Sequence, residues 1–490
     1  MKHVFPIISI RMCPLAALAL ACFGYVSVQA WDLYPTDPLR ANRHVASSPA
    51  KAELADALGN PCKLAPLPAR IDLPRAAEYA LCANPKTRVA WANVKALAAQ
   101  VGGAEAAYLP TLSGTVLAAR DHSLSEVPRA PIFNADNPTH YRSETASLSW
   151  LIYDFGARSA ALEQARSLLD AAQASQDAAI QTVLTTVAHD YYTASAAQAI
   201  LDSTTQIEQA SRKSLLAATE RVKGGVAPIT DQLQAQTAHA QAVFNHAKAE
   251  GEVRMALGTL LLDLGVAPNI NVELAGDSDP NTEIARSDAA IASLLDDAQR
   301  DHPSLVAARA NVDAAQAKVS QARAQGRPSL TLSSHVSHST QPVSPSLGSA
   351  ELPAIGRDRY VGVQLDIPLF EGLTRTYQIR QAQAQVEVQK ANLADAEQQV
   401  AQEVWRSYQG LQTEVENLRN SATLLDSAQQ SFDAAQHRYD RGVGNILELL
   451  SAQTALANAQ QQRVQALADW RIGKVQLMGS LGRLSMAAMK

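Results

Sequence analysis

One stretch of this chain occurs twice, and that duplication constrains the fold more than any other feature. Residues 221–238 read RVKGGVAPITDQLQAQTA, and residues 438–455 read RYDRGVGNILELLSAQTA. A shift of 217 positions carries Arg221 onto Arg438, Gly225 onto Gly442, Val226 onto Val443, Ile229 onto Ile446 and Asp231 onto Glu448. A repeat this long makes each half a structural unit, so the fold is read per half. Both copies lie between long apolar-periodic segments and carry a glycine where a helix must stop. Each therefore reads as a tight turn between two antiparallel helices.

A second matched region, shifted by 218, carries Pro85 onto Pro303, Asn93 onto Asn311, Pro110 onto Pro328 and Leu112 onto Leu330. Residues 72–107 are helical in pattern, with an interruption expected near Gly102-Gly103, and match about 293–325. Residues 157–223 contain neither Gly nor Pro, and residues 373–441 contain only Gly410. At 1.5 Å per residue each run makes a helix of about 100 Å, which no compact domain accommodates. Ile180, Val183, Leu184, Val187, Ala188 and Tyr191 recur at helical spacing in one. Val404, Leu411, Leu418 and Leu425 recur at sevens in the other, as in a coiled-coil seam. The shorter segments 230–264 and 447–481 return from the turns. Two short helices stacked end to end match one long helix in length and are expected to pair along it.

Between the helices the period changes from 3.6 to 2. In 360–370 (YVGVQLDIPLF), Val361, Val363, Leu365, Ile367 and Leu369 share one face, with Gly362, Gln364 and Asp366 on the other. Residues 141–153 alternate likewise, placing Ala146, Leu148, Trp150 and Ile152 opposite a serine/threonine face. Residues 111–119 and 329–339 read as the preceding strands, and polar, proline-containing loops are expected at 121–140 and 340–359. One apolar and one hydroxyl-rich face suits a membrane barrel with a wet lumen. A soluble hairpin packed on a helix has the same pattern, and the long neighbouring helices favour the barrel.

The N-terminus carries an export signal. Lys2 and Arg11 supply charge, 14–28 is mostly apolar, and Val28-Gln29-Ala30 is a small-residue cleavage site. Lipidation at Cys22 is the alternative. After export Cys62 and Cys82 remain, an even pair in an oxidising compartment, and a disulfide between them is expected. The division is 1–30 signal, 31–70 periplasmic leader, 71–290 first repeat, 291–481 second repeat and 482–490 tail. A net charge of −5 without a basic stripe excludes nucleic acid as a partner.

GGVAPITD at 224–231 and RGVGNILE at 441–448, with AYLPTLS at 107–113 and DIPLFEG at 366–372, resemble the TolC-like outer-membrane efflux proteins. The resemblance spans about 73–481. The pair Asn60-Pro61-Cys62 and Cys82-Ala83-Asn84-Pro85 is similar to the branch serving cyclolysin-type type I secretion. The resemblance implies a mainly α fold with a small transmembrane β part. Three chains would form a 12-stranded barrel continued by a long coiled-coil α-barrel. It implies a homotrimer in the outer membrane of a Gram-negative bacterium, reaching through the periplasm. Its partners would be a periplasmic adaptor and an inner-membrane pump, either an ABC exporter or a proton-driven transporter. No cofactor is implied.

The same resemblance places adaptor docking at Gly225-Val226 and Gly442-Val443. The bland role of those glycines is a positive φ at a helix end. Asp231 and Glu448 would line the periplasmic entrance as rings of carboxylates that set gating and ion preference. The alternative is helix capping, with Asn445-x-x-Glu448 as a capping box. Tyr439 matches a tyrosine that latches the closed state. The usual basic partner falls on Gly444, which leaves Arg441 as a candidate.

Chemistry is sparse. There is no H-E-x-x-H, and two cysteines make no zinc cluster. His189-Asp190 is the one pair resembling a metal-hydrolase dipeptide, and it falls mid-helix. The readings carried forward are an export duct and, against it, a soluble periplasmic coiled-coil scaffold or an exported hydrolase at His189-Asp190.

Overall fold

Two helices of 67 residues dominate the computed structural model, which describes residues 37–41, 43, 67–275, 291–343 and 352–484. The export signal, Cys62 and most of the leader lie outside the described residues. Short strand β1 (Arg70–Ile71) precedes α1 (Leu73–Ala83), α2 (Pro85–Ala106), β2 (Thr111–Ser125) and β3 (Ala135–Tyr153). Then come α3 (Ala157–Lys223), α4 (Ile229–Asp263) and β4 (Glu273–Leu274). The second half repeats the plan as α5 (Ile291–Asp301), α6 (Pro303–Ala324), β5 (Ser329–Ser339), β6 (Gly356–Asp366), α7 (Thr374–Asp440) and α8 (Ile446–Ser480).

The pairing of short with long helices is as the lengths require. α2 lies along one part of α3 and α4 along another, while α6 and α8 do the same for α7. α6 and α8 also contact α3, which joins the two repeats side by side. Near the middle of α3, Ile180, Val183, Leu184, Val187, Ala188 and Tyr191 pack with α1 and with Leu260, Leu261 and Leu264. Val404, Leu411 and Leu418 form the matching core of the second repeat with Trp470 and Leu477. Leu425 is only partly buried, beside Ala428 and Leu456. Elsewhere the seams are mostly alanine, which lets the helices approach closely.

The first helix breaks at a different place from the one expected. It runs unbroken through Gly102-Gly103 and is interrupted instead at Asn84-Pro85, where Asn84 adopts ψ 129°. Proline disfavours helical backbone at the residue before it, while two glycines cost propensity without clashing. The second repeat breaks equivalently, at His302-Pro303.

The four longer strands form one antiparallel sheet of order β2-β3-β5-β6. The first hairpin is longer than its polar sequence suggested. Pairing continues from Thr111↔Ser149 to Ser125↔Ala135, so most of the loop expected at 121–140 is strand. Backbone pairing sustains a strand through polar residues when a neighbour supplies the ladder. Likewise β6 starts at Gly356, so Arg357, Asp358 and Arg359 belong to the sheet and not to a loop. A bulge lies between Leu151 and Tyr153, so Tyr153 pairs with Leu330 and Ile152 is the unpaired residue.

A two-residue parallel pairing of β1 with β4 ties the leader's end to the end of the first repeat. The Tyr191 hydroxyl donates to Ala275 O at 2.8 Å. Beyond α8, the chain does not leave as a free tail at 482. Gln181 holds the Leu484 backbone by two hydrogen bonds of 2.8 and 2.9 Å, and Leu484 is buried.

Candidate channel entrance and membrane face

Both long helices end in the same way. Gly225 has φ +71°, its N–H donates to Val222 O at 3.0 Å, and the Val226 N–H donates to Arg221 O at 3.0 Å. Gly442 has φ +77°, with Gly442 N–H on Tyr439 O and Val443 N–H on Arg438 O, both at 3.0 Å. This pair of bonds closes a helix on a left-handed residue, a conformation that strains any residue with a Cβ. The valine after each glycine is turned into solvent: Val226 is 77% and Val443 70% exposed.

The carboxylates behave differently from each other. Asp231 lies half-buried in the first turn of α4, where the helix dipole favours an anion, and Pro228 offers no side-chain cap. Glu448 does not complete the expected capping box. Asn445 Oδ1 accepts from Leu447 N–H at 3.0 Å, but the Glu448 carboxylate pairs with Arg438 Nη1 at 3.1 Å. The tight turn brings the last turn of α7 beside the first turn of α8, and a guanidinium holds a carboxylate more strongly than a backbone amide does.

Tyr439 is 4% exposed, packed with Ile446 and Leu449. The cation over its ring is Arg221, whose guanidinium carbon lies 4.4 Å from the ring centroid. Arg221 comes from the other repeat, so this contact joins the two tips. Arg441 is exposed. The duplication hid this role: Arg221 and Arg438 are equivalent positions, yet one stacks on an aromatic ring and the other pairs with a carboxylate. They differ because Tyr439 is matched by Val222 in the first repeat.

Halfway along the helices a cavity of about 610 Å³ opens between the repeats, lined among others by His189, Asp190, His302 and Glu403. His189 Nδ1 is 3.5 Å from Asp190 Oδ1. Burial, then the neighbouring Asp263 carboxyl, pushes Asp190 up to about 7. His302 caps α6 by accepting the Ser304 N–H on Nδ1 at 3.2 Å, as Asn84 caps α2 by accepting Lys86 N–H at 2.8 Å. Burial lowers the His302 pKa and keeps the ring in its accepting, neutral form. No group of three metal-ligating side chains occurs among the described residues.

In the sheet, pleat and register place Val361, Val363 and Leu365 on one face with Leu332, Trp150, Leu148 and Leu112. The opposite face carries Ser147, Ser149, Ser333, Gln364 and Asp366. No described helix is long and apolar enough to cross a membrane. Cys82 is disulfide-bonded, while Cys62 lies outside the described residues.

The family profile described as outer membrane efflux protein matches residues 76–266 and 294–483, one pass per repeat. Protein CyaE of Bordetella pertussis is 33% identical over 460 residues, covering 92% of this chain and 93% of its own. Outer membrane protein TolC of Escherichia coli is 26% identical over 313 residues, 62% of each chain. Among solved structures, the outer membrane protein VceC of Vibrio cholerae superposes with a TM-score of 0.69 at 20% identity, covering 84% of this chain and 96% of that one. The chain belongs to the outer membrane efflux protein family, and is an outer-membrane export channel rather than an enzyme.

Proposed function

We propose that three copies of this chain close into one duct that carries substrates from a periplasm-spanning pump assembly to the outside. The observation that carries this reading is the sheet. Its apolar face lies open, with Val361 75% and Leu112 77% exposed, and its outer strands β2 and β6 have unpaired edges. Unpaired backbone groups cost several kcal/mol each in lipid, so four strands alone are unstable there. Three sheets joined edge to edge remove every edge and give twelve strands. Strand β6 itself, the 11 residues Gly356–Asp366, rises about 33 Å, or about 25 Å along the membrane normal at a tilt near 40°. That matches the apolar band of a membrane barrel.

Below the barrel the helices continue as a hollow tube, and substrate passes through it without chemical change. Val226 and Val443, held outward beside Gly225 and Gly442, present apolar points for a periplasmic adaptor. Three copies of Asp231 and Glu448 ring the periplasmic entrance, with Glu448 held in place by Arg438. Tyr439 under Arg221 latches the tips in the closed state. Cys62 is the partner of Cys82, and the disulfide ties the leader to α1. The resemblance around these cysteines favours the type I secretion branch, in which an inner-membrane ABC exporter supplies the energy.

The test is single-channel conductance of the detergent-purified protein in a bilayer, with its oligomeric mass. A trimer passing stepwise currents is expected. A monomer that dissolves without detergent and passes no current would overturn the reading in favour of a soluble scaffold.

A further inference from the structure

The four barrel strands contain four arginines and no lysine: Arg120, Arg142, Arg357 and Arg359. The register assigns every one of them to the apolar face. Arg359 and Arg357 continue the row of Val361 and Val363 on β6. Arg142 continues the row of Ala146 and Leu148 on β3, and Arg120 that of Leu112 and Val116 on β2. The hydroxyl-rich face holds no strand arginine, and Asp121, Asp358 and Asp366 are on it. A charge on the lipid side of a barrel is costly near the midplane and tolerated only at the interface. These four lie toward the hairpin ends of the strands, away from the helices, which is the extracellular end.

The duplication makes the pattern deliberate. Arg120 and His338 are equivalent positions, shifted by 218. Arg120 pairs with His140 and His338 pairs with Arg357. Ala118 pairs with Arg142, and its equivalent Val336 pairs with Arg359. Each hairpin therefore sets a guanidinium directly opposite an imidazole, with a second arginine two residues further along the same face. Both hairpins carry the arrangement, and in neither is the residue directly opposite Arg120 or Arg357 a carboxylate. Local carboxylates relieve its charge only at Arg142. Glu144 pairs with Arg142 at 2.6 Å, Asp136 with His122, and Asp358 with His335 on the other face. Among the described residues, no carboxylate pairs with Arg120, Arg357 or Arg359.

Resting on the barrel reading above, we infer that Arg120, Arg142, Arg357 and Arg359, with His140 and His338, form an outward cationic girdle that binds phosphorylated glycolipid headgroups of the outer leaflet. The charge and the position select this occupant. Guanidinium pairs bind phosphate oxygens in a fork, and only lipid reaches that face. Arg357 and Arg359 are about 7 Å apart along the strand, a span suited to the several phosphate oxygens of one headgroup. In a trimer the two hairpins of each chain would place the girdle around the whole circumference.

The experiment titrates the full-length trimer in detergent with bisphosphorylated lipid A, with lipid A stripped of its phosphates, and with inorganic pyrophosphate. Retained lipid is read by native mass spectrometry. Wild type is expected to retain the bisphosphorylated lipid. An R120Q/R357Q/R359Q variant is expected to bind it at least about tenfold more weakly. The dephosphorylated lipid should not distinguish the two proteins, and pyrophosphate should compete only weakly. The lumen variant D121N/D358N should bind as wild type does. If the glutamine variant fails to assemble, R120K/R357K/R359K, which keeps the charge and loses the fork, should bind the bisphosphorylated lipid more weakly than wild type does and still more tightly than it binds the dephosphorylated lipid; equal binding of the two lipids by wild type overturns the inference in that case too. Equal retention of both lipids by wild type, or equal retention by wild type and the glutamine variant, overturns the inference. Bilayer current through the wild type reports on the barrel separately, so a conducting trimer indifferent to lipid phosphate sinks the girdle alone.

Discussion

Replacing Arg221 by glutamine should loosen the closed state of the channel by an amount the structure allows to be worked out. The guanidinium carbon lies 4.4 Å from the Tyr439 ring centroid, and the ring is 4% exposed. A cation–π contact at such a partly desolvated site contributes about 1 kcal/mol. Per chain that shifts the balance between joined and separated tips about fivefold. If the three chains of a trimer open together, the shift is about 3 kcal/mol, or roughly 100-fold in the open-to-closed ratio. The assay is open probability of the purified protein in a planar bilayer at fixed voltage. R221K should fall between wild type and R221Q, because an ammonium lacks the planar face that stacks on the ring. R441Q, at an exposed position that does not supply the cation over Tyr439, should behave as wild type. An R221Q channel within twofold of wild type, or an R441Q channel matching R221Q, would refute the reasoning.

Other outcomes follow from the same geometry. Aspartate at both Val226 and Val443 should abolish capture of the adaptor in a pull-down while leaving bilayer conductance unchanged, because those side chains face solvent beyond the helix ends. E448Q removes a carboxylate paired with Arg438 and should lower the cation preference of the channel, measured as a reversal-potential shift in a salt gradient. Burial lowers the His302 pKa, so folding stability should be full above the ordinary histidine value of 6.5 and should fall as pH drops through the lowered one. H302N, which keeps an accepting cap atom, should remove that acid sensitivity from the melting temperature. Asp190 has the opposite sign. Its pKa is raised from 3.8 to about 7, so the folded state holds a proton the unfolded chain has lost, and stability should decline as pH rises through that window. D190N should flatten the decline, again read from melting temperature against pH.

The helical part of the fold was legible because its signals are local. The 157–223 helix ends where Gly and Pro resume, and the buried faces of α3 and α7 follow the residues that recur at helical spacing. Strand ends were less legible. Arg120, His122, Arg142 and Arg357 carry no β signal of their own and are strand because a neighbour pairs with them. The same holds for the tips. A duplicated GV motif specifies the turn, since only glycine enters that backbone region freely, but it says nothing of which side chains meet across the two copies.

Periodicity, glycine placement and the repeat are properties of the chain within a few turns, so residue order alone decides them: two copies of strand, strand, long helix and return helix. The partnership of Arg221 with Tyr439 and the gathering of four arginines onto one sheet face bring together residues distant in the chain or read through a register. Folding chooses among such partners by geometry and desolvation, and neither is written in the spacing.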